Sequence, residues 1–284
     1  MQKEHFCAVS IIGVGLIGGS LALALKNQGI ATTIIGYGRD KKRLQEATRL
    51  GIIDCFTNSL KDAASAELIV LATPLGTFEK ILKEISSFLK PNSIIMDVGS
   101  VKLQVVRLFE NILPDSVNFI PAHPIAGSEK TGFENARQDL FKNAKVIITP
   151  TERTDKTVLK RIIKMWQATG ASTELMSAKE HDLIYGLMSH LPHLLAFCMV
   201  NTVDIVSDNL IKYAGSGFKD FTRIAMSSPE IWKDIFLMNK ENILKMLDLF
   251  IKEIEKIKTF ITEESKENEI INYILRAKKL REQI

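Results

Sequence analysis

Two hydrophobic rhythms divide the chain. As far as residue 150, short apolar or β-branched runs at 8–12, 33–37, 68–72, 94–98, 118–120 and 146–149 alternate with segments of helical period. Runs of that kind, separated by helices, predict a parallel sheet covered on both faces, so residues 1–150 read as an α/β Rossmann-type doubly wound domain. The polar stretch 151–155 ends this rhythm. Long amphipathic helical patterns then run to the end, and residues 151–284 read as an all-α C-terminal domain. In it Ile243, Leu247, Phe250, Ile254, Ile257 and Ile261 recur at spacings of four and three, a narrow seam that calls for another helix. That helix belongs either to the same chain or to a second copy, which would make a homodimer through the C-terminal helices.

The first apolar run ends in Gly13-Val14-Gly15-Leu16-Ile17-Gly18 and opens a helix predicted over 21–26. A strand, a glycine turn and a helix start in this order aim backbone N–H groups at a pyrophosphate, which makes a dinucleotide the expected ligand. Gly13 would form the tight turn, Gly15 would admit the phosphate closely, and Gly18 would let helix and strand pack. The ends of the third and fourth runs, at Thr73-Pro74 and at 97–100, are the other strand ends equipped for chemistry. Residues 6–25 carry no charge, but four glycines argue against a membrane span or a signal peptide there. No other stretch reads as long and apolar enough to span a bilayer.

With 284 residues, 46% of them hydrophobic, the chain can bury two real cores. Its net charge of +4 is small and its charges are interspersed, so no basic stripe points to nucleic acid, whereas a small anionic substrate remains compatible. Cys7, Cys55 and Cys198 are odd in number and lack CxxC spacing. Neither a disulfide framework nor a zinc site is indicated, and a cytoplasmic location is expected.

Three of the five histidines lie beside proline, in His123-Pro124-Ile125-Ala126-Gly127-Ser128-Glu129 and Ser189-His190-Leu191-Pro192-His193. A histidine of ordinary pKa can take the proton that an alcohol must lose on oxidation, and His123 with a hydroxyl partner such as Ser100 would suit that task. The alternative is a turn histidine bonded to local backbone. His190 and His193, three apart, would share a helix face, with Pro192 in a first helical turn. Substrate binding is the favoured reading over a metal pair, which lacks a third ligand, or a structural cap. Arg223, in Gly215-Ser216-Gly217-Phe218-Lys219-Asp220-Phe221-Thr222-Arg223, is either a carboxylate clamp or the partner of Asp220 in a surface pair.

The ordered set GVGLIGGS, LATP, DVGSVK, HPIAGSE, SHLPH and GSGFKDFTR, spread over residues 9–223, resembles the prephenate dehydrogenase family, whose members oxidise prephenate or arogenate on the route to tyrosine. The resemblance implies a nucleotide-binding domain followed by a helical dimerisation domain, and a nicotinamide cofactor. It also implies residue roles. His123 would engage the ring hydroxyl as base or hydrogen-bond partner, with Ser100 bonding the same oxygen near the nicotinamide. Arg223, helped by His193, would hold a substrate carboxylate; Ser128, Glu129, Ser189 and His190 would line the pocket; and Asp220 would orient the clamp. No metal is needed, because loss of CO2 after oxidation yields an aromatic ring.

One position departs from the pattern of NAD-preferring sites. About 20 residues after the glycine turn such sites offer an acid to the ribose hydroxyls, and here Gly38 stands in its place with Arg39 beside it, which leans towards NADP. Asp40 could still reach in, so the expectation is NAD or NADP. Two other readings are another two-domain dehydrogenase of a hydroxy acid or imine, and a catalytically silent NAD(P)H-sensing protein.

Overall fold

The structure, a computed structural model, describes residues 5–283. Its eight strands are β1 (Phe6–Ile12), β2 (Ala31–Tyr37), β3 (Cys55–Thr57), β4 (Leu68–Leu71), β5 (Ile94–Asp97), β6 (Asn118–Ile125), β7 (Lys145–Ile148) and β8 (Ser172–Leu175). They form one sheet in the order β3-β2-β1-β4-β5-β6-β7-β8. The first six are parallel in the 3-2-1-4-5-6 order of a doubly wound fold, with the chain reversing direction of winding between β1 and β4. Ile12 and Leu71 are paired across that switch point, so the loops after β1 and β4 leave the sheet side by side.

Helices α1 (Leu16–Asn27), α2 (Lys41–Arg49), α3 (Leu60–Ala63), α4 (Phe78–Ile85), α5 (Leu103–Ile112) and α6 (Lys156–Ala168) accompany the strands. They bury two apolar layers, one on each face of the sheet. The first gathers Val9, Leu21, Leu25, Val70, Met96 and Trp166. The second gathers Ile69, Leu71, Phe78, Leu82, Val105 and Phe109.

Three expectations change. Helix α1 begins at Leu16, five residues earlier than periodicity suggested, because the apolar glycine-rich stretch is itself helical. β7 runs antiparallel to β6, so the sheet is mixed at that side. Most importantly, α6 packs on the sheet face and β8 pairs in parallel with β7, so the sheet domain extends to Leu175 and the boundary drawn at 150 falls inside it. Ser172–Leu175 is mostly exposed and has no apolar run, which is why its pattern was silent.

The helical part comprises α7 (Ala178–Tyr185), α8 (Leu191–Val206), α9 (Ser216–Thr222), α10 (Pro229–Met238), α11 (Lys240–Thr262) and α12 (Glu267–Arg281). A π turn at Gly186–His190 joins α7 to α8 without a break. Pro192 has no N–H to donate to the preceding turn, and a wider turn absorbs that loss. The pair His190 and His193 therefore lies within a continuous helix and not at a helix start. The joined run, Ala178–Val206, is long and apolar enough by length and composition to cross a membrane, contrary to the expectation from sequence. Its buried polar groups are instead wired into the rest of the fold, as described below. Along the seam of α11, Ile243 is buried while Ile254 and Ile261 remain 47% and 71% exposed. The seam is therefore only partly covered by α12.

Candidate active site

The glycine turn after β1 has the geometry its spacing requires. Gly13 takes φ of +102°, and a Cβ there would sit 2.8 Å from the Ala72 carbonyl group and from Thr73 Cγ2. A Cβ on Gly18 would approach the Gly13 oxygen to 2.2 Å. At Gly15 the space is open, with nothing within 4 Å of a Cβ. Gly15 caps α1 without a side-chain bond, and the first return hydrogen bond across it, Gly19 N–H to the Gly15 carbonyl, leaves the amides of Leu16, Ile17 and Gly18 in the unsatisfied first turn. An open floor beneath free amides fits a diphosphate. Beside it, the Thr77 hydroxyl lies 2.8 Å from that of Thr73 and 2.7 Å from the Pro74 carbonyl, which braces the loop after β4 from within. At the end of β2, Asp40 is occupied as the cap of α2, accepting from the amides of Lys42 and Arg43, while Arg39 is exposed beside Gly38.

The next strand end carries a buried ion pair. Asp97 closes β5 and accepts from Lys102 Nζ and, at 2.8 Å, from the Gly99 amide; Lys102 Nζ also donates to the Ala122 carbonyl at 2.7 Å. Both side chains are fully buried. Burial raises the Asp97 carboxyl and lowers the Lys102 ammonium, and each partner pulls the other back. The pair ties the loop bearing Ser100 to β6 at the residue just before His123.

His123 lies within β6 near its end. Its Nδ1 is 2.8 Å from His181 Nε2, and Tyr185 packs edge-on to its ring at 5.1 Å. His181 Nδ1 is in turn 2.8 Å from Asp182 Oδ1, and the Asp182 carboxylate accepts the amides of Lys102 and Leu103 at 2.8 and 2.9 Å. Burial, reinforced by His181, Lys102 and His190, holds His123 well below the ordinary imidazole range. The expectation of an ordinary pKa is thus corrected: the ring is a neutral base throughout the physiological range.

His190 is fully buried, with Nδ1 3.0 Å from Asn239 Nδ2, and burial pushes its pKa down to about 4 despite the opposing charge of Asp182. His193 donates from Nδ1 to the Ser189 carbonyl at 2.9 Å and stacks on Trp232 at 3.7 Å; burial lowers it, and Arg223 adds to the effect. Arg223 Nη1 reaches Glu129 Oε2 at 2.7 Å, so its partner is 94 residues away and is not Asp220, which is exposed on α9. Ser128 is also exposed, its hydroxyl accepting from the Lys130 amide at 3.2 Å. Direct contacts thus run from His123 through His181 and Asp182 to Asn239 and His190, and Trp232 packs against both His190 and His193. Among the described residues, no group of three His, Cys, Asp or Glu side chains could hold a metal ion.

The family model for the prephenate dehydrogenase nucleotide-binding domain matches residues 21–175, and that for the prephenate dehydrogenase dimerization domain matches residues 177–276. The chain belongs to the prephenate dehydrogenase family. It is 38% identical over 283 residues to the prephenate dehydrogenase of Bacillus subtilis (strain 168), covering 96% of this chain and 75% of that protein. It is 34% identical to the cyclohexadienyl dehydrogenase of Zymomonas mobilis subsp. mobilis, covering 90% and 89%. Among solved structures, Aquifex aeolicus prephenate dehydrogenase in complex with hydroxyphenyl propionate and NAD+ superposes with a TM-score of 0.92 at 41% identity, covering 98% of each chain. As a member of the family this protein is a nicotinamide-dependent oxidoreductase of tyrosine biosynthesis.

Sequence reasoning missed Lys102, His181, Asp182, Tyr185, Trp232 and Asn239, although one signal was available. His181, Tyr185, Ser189 and His193 repeat every four residues along an apolar helical run, a polar stripe on a face that would otherwise be hydrophobic.

Proposed function

We propose that the protein oxidises the ring carbinol of prephenate, or of its amino analogue arogenate, and releases the ring carboxylate as CO2. The supporting observation is the contact series from His123 through His181, Asp182, Asn239 and His190 to Trp232 and His193, with Glu129, close to His123 in sequence, paired to Arg223 across the fold. Four residues after His123, Gly127 faces Ile17 of the dinucleotide turn, which brings the base end towards that turn. The glycine turn would hold the dinucleotide, whose nicotinamide would supply the hydride acceptor. His123 accepts the proton of the hydroxyl as its oxygen becomes a ketone, with Ser100 holding that oxygen. Arg223 exchanges Glu129 for a substrate carboxylate, and His193, whose Nδ1–H is committed to the Ser189 carbonyl, donates to the same anion from Nε2 when the ring takes up a second proton, which the bound carboxylate favours. When the ring carboxylate leaves, its bonding pair enters the ring and ends on the ketone oxygen. The protonated His123 returns its proton there, giving a phenol. Ser128, Ser189, His190 and Asp220 complete the pocket in this reading.

The turn at Gly13, Gly15, Leu16, Ile17 and Gly18 holds the diphosphate, with Thr73 and Pro74 alongside. With no acid at position 38 and Asp40 engaged as a cap, Arg39 offers the 2′-phosphate of NADP a partner, so the site takes either dinucleotide. The protein acts as a homodimer joined through its helical region, whose exposed apolar residues include Ile205, Val206, Tyr213, Leu237, Ile254 and Ile261. Its three cysteines, unpaired and exposed, suit the cytoplasm. The test is incubation of the purified chain with prephenate or arogenate and each nicotinamide, followed by absorbance of the reduced cofactor. Turnover with neither substrate, alongside tight dinucleotide binding, would leave a sensing protein in place of an enzyme.

A further inference from the structure

The ring of His123 can act as a base only if its free lone pair is on the nitrogen that meets the substrate. Imidazole has two nitrogens, and a neutral ring carries its proton on one of them. What decides which one is the hydrogen bond made by the other. In this fold the decision can be traced through three side chains to the main chain.

The Asp182 carboxylate is held at the start of α5, with Oδ1 accepting the Lys102 amide and Oδ2 the Leu103 amide. Neither of those donors can change its role. Oδ1 also faces His181 Nδ1 at 2.8 Å, and since a carboxylate only accepts, His181 carries its proton on Nδ1. His181 Nε2 is then a lone pair. The 2.8 Å contact between His181 Nε2 and His123 Nδ1 requires a proton, which His123 must supply from Nδ1. The lone pair of His123 is therefore left on Nε2, which has no partner within the described chain. We infer that His181 and Asp182 are positioning residues for the base, fixing through this one-way series of hydrogen bonds both the orientation and the tautomer of His123. The inference rests on the reading of His123 as the base.

Three further features support the direction of the series. His181 is fully buried and, like His123, is held below the ordinary imidazole range by burial and by Lys102, with Asp182 opposing; a doubly protonated His181, which would reverse the series, is thereby disfavoured. Tyr185 packs against both rings, at 4.6 Å from His181 and 5.1 Å from His123, and blocks rotation of either. The Asp182 carbonyl accepts from Asn239 Nδ2 at 2.7 Å, which anchors the same residue from α11's leading end. The charged and titratable groups facing this array are Lys102, Asp97, His190 and Tyr185.

The experiment compares the full-length protein with His123→Asn, His181→Leu, His181→Gln and Asp182→Asn. The readouts are kcat and KM for prephenate, the Kd for the reduced dinucleotide from its fluorescence, and the thermal midpoint. Gln at 181 retains an amide oxygen that can accept from His123 Nδ1, whereas Leu removes every acceptor. His181→Leu should lose about 10²- to 10³-fold in kcat, within the range a positioned base supplies, while KM and Kd stay within about threefold. His181→Gln should recover to within about tenfold of the parent. Asp182→Asn should follow the Leu variant, because its amide NH2 must oppose either a backbone N–H or the Nδ1 proton of His181, and reversing His181 places the His123 proton on Nε2. With His123→Asn inactive, parental kcat in His181→Leu, or equal losses in the Leu and Gln variants, would overturn the inference alone. Parental kcat in His123→Asn would overturn the base assignment, and this inference with it.

Discussion

At His123 the polar groups are held dry and are wired to one another: His181 and His190 are fully buried, the Lys102–Asp97 pair is fully buried, and their contacts run back to main-chain amides. At Arg223 the guanidinium is 56% exposed and touches one carboxylate. The chemistry explains the contrast. A base must present one lone pair in one direction, and low local dielectric with immobile partners holds it there. A clamp must open to admit an anion, and a weak, solvated ion pair with Glu129 can be exchanged at little cost. If the contrast is real, damage at the dry end should appear in kcat and damage at the wet end in KM.

The largest effect is expected at the dry end. His123→Asn keeps a hydrogen-bonding side chain of similar reach but removes the lone pair that accepts the proton. Turnover should fall by about 10²- to 10⁴-fold. Dinucleotide affinity, read by fluorescence titration, should stay unchanged because the glycine turn is untouched. Next comes Arg223→Ala, which removes a charge-assisted hydrogen bond to the substrate. An increase in KM of roughly 10- to 100-fold with kcat nearly constant is the expected pattern. A variant that lost kcat alone would mean that Arg223 acts on the reacting atoms and that the division between the two ends is wrong.

Acid should separate the two ends by stability. His190 is buried neutral with its pKa at about 4, whereas the unfolded chain binds that proton near 6.5. The unfolded state therefore gains protons first as pH falls, so stability held above 6.5 is lost progressively between about 6.5 and 4. A shift of that size corresponds to a loss on the order of 3 kcal/mol, and His123 and His181, both also lowered, act in the same direction. Thermal scans should show the midpoint dropping by roughly 5–10 °C over that interval. His190→Asn should flatten the decline, and Glu129→Gln should not.

How legible each end was in the sequence follows from how local its constraints are. Gly13 and Gly18 could be read directly, because a φ of +102° and a 2.2 Å approach to backbone exclude a side chain whatever surrounds them. His123 and Arg223 were legible as chemistry-bearing residues in compact motifs. Their partners were not: Arg223 had a neighbour at Asp220 in sequence yet finds Glu129 across the fold, and His181 and Asp182 acquire meaning only when α7 is laid against β6 and α5. The domain boundary failed for a related reason. β8 is an exposed four-residue strand, recognisable only by its pairing with β7. Pro192 misled in the opposite direction, reading as a helix start because a π turn that carries a helix past proline leaves no periodic mark.

The smallest effect is the most diagnostic of the wet end. Glu129 occupies the guanidinium that a substrate carboxylate must engage, 2.7 Å from Arg223 Nη1, so two anions compete for one cation. Its own backbone amide and then the Arg223 charge keep its carboxyl below the usual range, against the effect of burial, and it stays ionised wherever the enzyme works. Glu129→Gln removes that competing charge while keeping shape. KM for prephenate should then fall by about two- to fivefold at low ionic strength, with kcat unchanged, since exposed pairs are individually weak. Both interactions are solvated, so salt near 0.5 M, where the Debye length is only about 4–5 Å, should erase most of the difference. Should KM instead rise at every salt concentration, Glu129 would be aiming Arg223 at the substrate, and the clamp would be preorganised in the same manner as the base.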